Sequence, residues 1–295
     1  MRPSGAILSR RLRFHYGPRA MKPLEDAPTP VSFSGRDLPL NLAQWGLALA
    51  RRPSASTPPF PKSATAAIVI MLGAVVAAMF LLDVPAVEWA RDLPRGLVEV
   101  FEQITNAGLS GWYLIPSGVA VLMLAALATP TLPRLTRGVL TALAARFGFF
   151  FLAVAVPGLV TTLIKHVLGR ARPYMEPAGH PFTFVPFNLD SNYASLPSGH
   201  GTTAASVAFA IGALWPRTRP LMWLFVLTIM FSRIVLMSHH PSDVIAGVLV
   251  GTLFAALVRR WFAARRLVFS PHTLAAHPGP SPRRIGHAIK RAFGA

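Results

Sequence analysis

Long apolar stretches alternate with short polar connections over the middle of the chain. A helix needs about 20 mostly apolar residues to cross a bilayer, so the pattern predicts six membrane-spanning helices. The stretches are Ala64–Leu82, Trp112–Ala128, Leu140–Ile164, Gly201–Trp215, Leu221–Met237 and Val244–Val258. The fourth is short and rich in small residues, which favours a place inside the bundle over contact with lipid. The sixth carries Gly247 and Gly251 one helical turn apart, a spacing suited to close contact between helices.

Both ends of the chain are basic. We divide the chain into a basic, proline-rich N-terminal tail (1–62), a six-span core (63–258) and a basic C-terminal tail (259–295). Within the first tail, Leu38–Leu49 fits either a helix lying in the membrane interface or a disordered segment. The fold class expected from the pattern is an all-α membrane protein, a six-transmembrane-helix bundle between basic cytoplasmic tails.

Composition separates this chain from soluble proteins. Charged residues make up 14% and hydrophobic residues 53%, whereas soluble domains carry about 25% charged residues. The net charge of +18 raises the question of a nucleic-acid partner. The basic residues lie mostly in tails and short connections of a very apolar chain, so we expect no nucleic acid and instead attraction to anionic membrane lipid. The absence of cysteine excludes disulfides, thiolate metal sites and a cysteine nucleophile.

The distribution of basic residues predicts the orientation. One side of the membrane is marked by the basic connections between spans two and three and between spans four and five, which contain Arg134, Arg137, Arg217 and Arg219. The positive-inside rule places this side and both termini in the cytoplasm. Lys165, Arg170 and Arg172 at the start of the third loop count against an outside position for that loop unless they have another task. We expect a multi-pass protein of the cytoplasmic (inner) membrane if the host is a bacterium.

Three clusters of polar residues interrupt the apolar pattern, all on the predicted outer side. They are Lys165 with Arg172-Pro173, then Pro197-Ser198-Gly199-His200, then Ser232-Arg233 with His239 and Asp243. Taken singly, each has an ordinary structural explanation: headgroup anchors, a helix cap, or a polar pair at an interface. Arg233 is the exception. A charge within an apolar span costs about 2.5–3.5 kcal/mol on insertion scales, so it indicates a functional site.

Together, the three clusters resemble the three-part signature of the type-2 phosphatidic acid phosphatase superfamily, which includes integral-membrane lipid phosphate phosphatases. That signature reads Lys, six residues, Arg-Pro; then Pro-Ser-Gly-His; then Ser-Arg, five residues, His, three residues, Asp. Every position is matched in order and at these spacings, and the resemblance covers about residues 64–258. It implies that His239 is the nucleophile, that a phosphohistidine forms, and that the enzyme needs no metal and no cofactor.

The residue types suit the chemistry that the resemblance implies. Phosphoryl transfer spreads negative charge over oxygens, so positioned cations carry much of the catalysis. We expect Arg172 and Arg233 to bind phosphate oxygens through paired donors and Lys165 to act as a point charge. Ser198 and Gly199 open span four, where free N–H groups make an anion site.

The remaining polar residues orient the nucleophile or lie beside it. His200 is left as general acid and then base, and Asp243 is placed to accept a ring N–H of His239 and fix its tautomer. His166 and His240 flank the signature without belonging to it, and Arg170 is expected to be an extra headgroup contact. If the residues from Arg233 to His239 were helical, the two would lie about 9 Å apart.

The predicted activity is removal of phosphate from a lipid phosphate or diphosphate at the extracytoplasmic face. Candidate substrates are phosphatidate, phosphatidylglycerol phosphate, polyprenyl diphosphate and the phosphates of lipid A, and the sequence leaves the choice and the oligomeric state open. A lipid phosphotransferase using the same intermediate is the alternative within enzymes, and a membrane transport protein is the alternative of another class. Phe182, Phe184 and Phe187 in the third loop either contact acyl chains or anchor the loop in the interface.

Overall fold

The computed structural model describes residues 37–175 and 181–293, which are mostly helical. Residues 1–36 of the predicted N-terminal tail lie outside the described part. The helices in chain order are α1 (Asp37–Ala50), α2 (Lys62–Leu81), α3 (Asp83–Arg91), α4 (Arg95–Thr105), α5 (Gly111–Leu127), α6 (Arg134–Leu168), α7 (Gly199–Leu214), α8 (Arg219–Val235), α9 (Pro241–Ala264) and α10 (Pro282–Ala292).

Each predicted span corresponds to a helix, which confirms the all-α membrane bundle. Among the described residues, five helical stretches are long and apolar enough to cross a membrane: Lys62–Leu81, Arg95–Leu127, Arg134–Leu168, Pro216–Val235 and Pro241–Ala264. The fourth predicted span is α7, which has only 16 residues. The count of six spans therefore stays a prediction.

Helix α7 lies at the centre of the bundle, against α6, α8 and α9. Small side chains allow this packing, because a Cβ atom added to Gly247 would lie 2.5 Å from the carbonyl oxygen of Ser198, and one added to Gly251 would lie 2.5 Å from that of Thr202. The expectation of a close helix contact at these two glycines is confirmed. The contact holds the start of α7 beside the start of α9.

Helix α6 connects the two ends of the bundle. It contains 35 residues and is therefore about 52 Å long, well over the roughly 30 Å thickness of a hydrocarbon core. It ends at Gly169, whose φ of 62° is the left-handed conformation that commonly terminates helices. The chain then turns sharply, which places Arg170 and Arg172 over the end of the bundle.

Segments outside the predicted core also pack on the bundle. Leu38–Leu49 lies within α1, so its helical interpretation is confirmed, while its place in the interface stays a prediction. After α9 the chain folds back and buries Phe269 against Phe149. Helix α10 then packs against α6, with Ala288 and Leu140 in one apolar cluster. Much of the C-terminal segment is thus folded against the core, whereas its cytoplasmic location stays a prediction.

Candidate active site

The three signature segments meet at one end of the bundle. Arg172 donates from Nη1 to the carbonyl oxygen of Ser238 at 3.3 Å, which joins the first segment to the third. The N–H of Ser198 donates to the carbonyl oxygen of Asp243 at 2.9 Å, which joins the second to the third. A Cβ atom on Gly199 would lie 3.5 Å from Nζ of Lys165, which joins the first to the second.

The start of α7 is built as an open helix terminus. Ser198 is fully buried, and its hydroxyl oxygen accepts the N–H of Gly201 at 3.3 Å, so this side chain caps the helix. The first N–H groups of a helix have no partner within it. Those of Gly199 and His200 therefore stand at the positive end of the helix dipole, beside the ammonium group of Lys165.

A cavity of about 320 Å³ borders this terminus, lined in part by Lys165, Gly199 and His200. Gly108, in the turn before α5, packs directly against the imidazole of His200. A Cβ atom added at Gly108 would lie 2.7 Å from Cδ2 of that ring. The absence of a side chain at Gly108 therefore leaves the room that the ring of His200 occupies.

The guanidinium groups of the signature are anchored on one side. Arg233 is 7% exposed and donates from Nη1 to the hydroxyl of Thr105 at 2.8 Å. Its Nε is buried without a hydrogen-bond partner among the described residues. Arg172 donates from Nε to the carbonyl oxygen of Ser191 at 2.9 Å. Both cations are thus held in place with donors left for an anion.

His239 lies closer to Arg233 along the backbone than a continuous helix allows. Helix α8 ends at Val235 and Met237 adopts a left-handed φ of 48°. The chain doubles back, and the N–H of His239 donates to the carbonyl oxygen of Arg233 at 3.3 Å. The helical separation of about 9 Å is therefore wrong, since the residues between them form a tight turn.

The imidazole of His239 is 3% exposed and faces two possible partners. Its Nδ1 lies 3.5 Å from Oγ of Ser195 and 3.8 Å from Oδ2 of Asp243. The second distance exceeds that of a hydrogen bond. Ser195 also donates to Oδ2 of Asp243 at 2.6 Å, so this serine connects the histidine to the carboxylate.

Burial makes His239 a weak base. It lowers the pKa of this imidazole to about 4, and the nearby positive charges of Arg172 and Arg233 act in the same direction. The carboxylate of Asp243 opposes them and is outweighed. The ring is therefore neutral at pH 7 and has a free lone pair on one nitrogen.

Asp243 is the centre of a buried polar network. Its Oδ2 accepts the backbone N–H of His240 at 2.9 Å and lies 3.3 Å from Nδ1 of that ring. Its Oδ1 accepts from Nη1 of Arg170 at 2.5 Å. His240, which lies outside the signature, is 1% exposed and thus belongs to the frame that holds the carboxylate.

Arg170 is not a headgroup contact, because its side chain is fully buried. Its Nη2 donates to Oδ2 of Asp83 at 2.7 Å, its Nη1 to the hydroxyl of Ser242 at 2.7 Å, and its Nε to the carbonyl oxygen of Pro181 at 2.9 Å. Asp83 in turn accepts the N–H of Ser242 at 3.0 Å and its hydroxyl at 2.6 Å. The guanidinium thus joins two carboxylates from α3 and α9.

Sequence reasoning missed Asp83 and Ser195. Asp83 follows the first apolar stretch and belongs to none of the three polar clusters, and Ser195 stands outside the Pro-Ser-Gly-His segment. Their partners lie 87 and 48 positions away in the chain. No local pattern marks such pairs, although the position of Asp83 at the end of an apolar span was a signal.

Comparison with known proteins agrees with this geometry. A family model described as the PAP2 superfamily matches residues 146–267. The lipid A 1-phosphatase of Rhizobium johnstonii is 31% identical over 237 residues, which cover 80% of this chain and 93% of that protein. The chain belongs to the PAP2 superfamily. The assembled signature and this membership identify it as a membrane lipid phosphatase, which decides between an enzyme and a transport protein.

Other relatives carry different names. The decaprenylphosphoryl-5-phosphoribose phosphatase of Mycobacterium tuberculosis is 35% identical over 180 residues, covering 57% of this chain and 92% of that protein. A solved PAP2-type phosphatidylglycerolphosphate phosphatase from Bacillus subtilis is similar over 76% of this chain and 94% of that chain, with 18% identity and a TM-score of 0.39.

Proposed function

We propose that this enzyme hydrolyses a lipid phosphate through a phosphohistidine on His239, with its site at the extracytoplasmic face. One observation supports it above the others: Lys165, Arg172 and Arg233 converge with two imidazoles around the open start of α7. Three cations and a helix N-terminus suit a phosphate group that carries close to two negative charges.

In the first step, His239 attacks phosphorus. Its Nδ1 faces Ser195 and Asp243, so Nε2 is the nitrogen left for the reaction. The lone pair of Nε2 forms the N–P bond while the bond from phosphorus to the ester oxygen breaks. Burial, together with the positive charges of Arg233 and Lys165, lowers the pKa of His200 to about 3, so its ring is neutral before the lipid binds. His200 takes up the proton that a monoanionic phosphate group brings and gives it to the ester oxygen, and the lipid leaves as an alcohol.

In the second step, water replaces the histidine. His200, now neutral, takes a proton from the water, whose oxygen forms a bond to phosphorus as the N–P bond breaks. The phosphate is released with the proton that His200 took from the water, which returns His200 to its neutral form for the next cycle. Asp243, acting through Ser195, favours the tautomer of His239 that carries its proton on Nδ1.

Among the candidate substrates, we propose the 1-phosphate of lipid A. The alignments with the two lipid A 1-phosphatases include most of this chain and nearly all of each relative. The alignment with the phosphatidylglycerophosphatase B of Escherichia coli includes only 24% of this chain. Exposed apolar side chains in the third loop, Phe182, Phe187 and Leu189, lie on the chain between Arg172 and His200 and suit contact with acyl chains.

Phosphate release from a panel of lipids tests both substrate and mechanism. The panel contains lipid A, phosphatidate, phosphatidylglycerol phosphate and polyprenyl diphosphate, with His239→Ala as the blank and His272→Ala, an exposed histidine, as the matched control. We expect lipid A to react fastest of the four lipids. The wild type should form an acid-labile phosphoprotein, and His239→Ala should lose nearly all turnover. Normal turnover in that variant would contradict the assignment. Transfer of phosphate to a second lipid would indicate a phosphotransferase.

Cysteine labelling tests the face of the membrane, and the chain has no native cysteine to interfere. A cysteine replacing Ser191, which is exposed beside Arg172, should react with an impermeant maleimide in intact spheroplasts. A cysteine replacing Thr218, at the opposite end of the bundle, should not. The reverse pattern would move the chemistry to the cytoplasm.

A further inference from the structure

A second cavity lies at the end of the bundle opposite to the candidate active site. It has a volume of about 1100 Å³ and is bordered by α1, the start of α6 and the segment after α9. Along α6, Arg137 in its lining is separated from Lys165 by about 42 Å. Four arginines from three separate parts of the chain line it: Arg51, Arg134, Arg137 and Arg266.

The charge around this cavity is of one sign. None of the described residues that line it is acidic, and its four guanidinium groups form no ion pair with a side chain that the structure describes. Like charges gathered around one space repel each other, so an anion inside it would be stabilised. Guanidinium groups present paired donors that match phosphate oxygens.

The lining is also partly apolar. Leu47 and Leu267 lie beside the arginines, and Leu47 is 65% exposed. Leu135, next to Arg134 at the start of α6, is 87% exposed. The cavity lies where α5 ends and α6 begins, which for membrane-spanning helices is the level of the lipid headgroups. A free inorganic anion would use the arginines but leave these apolar groups in water.

We propose that this cavity binds the phosphodiester headgroup of an anionic membrane lipid, whose acyl chains lie along Leu47 and Leu267. Basic pockets at the ends of membrane helices recognise such headgroups by charge. The site is separate from the catalytic one, so the bound lipid is a structural partner of the fold rather than a substrate.

Lipid titration of the full-length protein in detergent, followed by native mass spectrometry, tests this proposal. The probe is phosphatidylglycerol, and the test variant is Arg134→Gln/Arg137→Gln. The matched control is Arg217→Gln/Arg284→Gln, which removes the same charge from exposed arginines outside the cavity. We expect the dissociation constant to rise about 30-fold in the test variant, because each basic residue near an anionic lipid contributes about a fivefold change. The control should bind like the wild type.

Three further measurements distinguish an anionic lipid in the cavity from a neutral lipid or a free anion. The pair Arg51→Gln/Arg266→Gln should show the same loss, so a folding defect in one variant does not decide the result. Phosphatidylcholine should bind the wild type at least tenfold more weakly than phosphatidylglycerol. Equal binding of both lipids, equal loss in the control pair, or displacement of the lipid by millimolar inorganic phosphate would each overturn the proposal.

Discussion

Replacing Asp83 with asparagine tests whether the buried frame behind His239, the proposed nucleophile, is needed. Asp83 is fully buried and accepts three hydrogen bonds, from Nη2 of Arg170 and from the N–H and hydroxyl of Ser242. Asparagine has the same shape but lacks the charge, and its amide NH₂ would face donors. The variant therefore breaks a buried ion pair without leaving a cavity.

The expected loss follows from burial. Removing one partner of a buried ion pair costs about 3–5 kcal/mol. Arg170 retains Asp243 as a counter-charge at 2.5 Å, which places the loss near the lower end, about 3 kcal/mol. With an unfolding entropy of about 2.1 cal/mol/K per residue over 295 residues, that loss lowers the melting temperature by about 5 °C. Because Arg170 also holds Asp243, we expect turnover to fall about tenfold to a hundredfold through misplacement of the histidines.

Thermal unfolding in detergent and phosphate release, measured on the same preparations, give both quantities. Glu88→Gln is the matched control, since Glu88 lies on the same helix, carries the same charge and is exposed. We expect the control to resemble the wild type. If Asp83→Asn unfolds and turns over like Glu88→Gln, the frame has no role in stability or in positioning Asp243.

Four further predictions concern the site itself. Gly108→Ala should lower turnover by displacing His200, whereas Gly96→Ala, where a Cβ meets nothing within 4 Å, should not. Ser195→Ala should slow phosphate release at least tenfold, unlike exposed Ser191→Ala, and equal rates would exclude a link through Ser195. The pKa of His239, about 4 instead of 6.5, keeps the ring neutral between about pH 5 and 7. The rate of attack by His239 on phosphorus should therefore stay constant over that range and fall as the pH drops toward 4. A fall of this rate with a midpoint near pH 6.5 would contradict the prediction. Activity should survive exhaustive chelation, and recovery only with Mg²⁺ would indicate different chemistry.

The sequence predicts the helices well because apolar length is a local property. Each predicted span falls on a helix. The bounds differ by six residues at the start of Leu140–Ile164, whose helix begins at Arg134, and at the end of Val244–Val258, whose helix ends at Ala264. Arginines near a membrane boundary lower the hydropathy of the terminal helical turns, so the predicted span is shorter than the helix. The short fourth stretch was recognised by its small residues, whose close contacts with Gly247 and Gly251 are present.

The sequence predicted the residues of the candidate site that belong to the three-part signature, but not the residues outside it. Lys165, Arg172, His200, Arg233 and His239 come together as the signature implies. The same reasoning gave Arg170 the wrong role, because a charge near a helix end has the same sequence pattern whether it faces headgroups or a buried acid. Only the packing of α3 against α9 brings Asp83 to it.

The arginines of the site differ in whether a carboxylate neutralises their charge. Arg170 is compensated by two buried carboxylates, so it holds structure and attracts no further anion. Arg172 and Arg233 are instead anchored by neutral oxygens, those of Ser191, Ser238 and Thr105, which position a guanidinium without neutralising it. In the proposed mechanism their charge is left for a phosphate group, whose arrival offsets their mutual repulsion. A phosphoryl group that gains negative charge on its oxygens in the transition state is stabilised further by the same fixed donors, which is how such an arrangement accelerates the reaction.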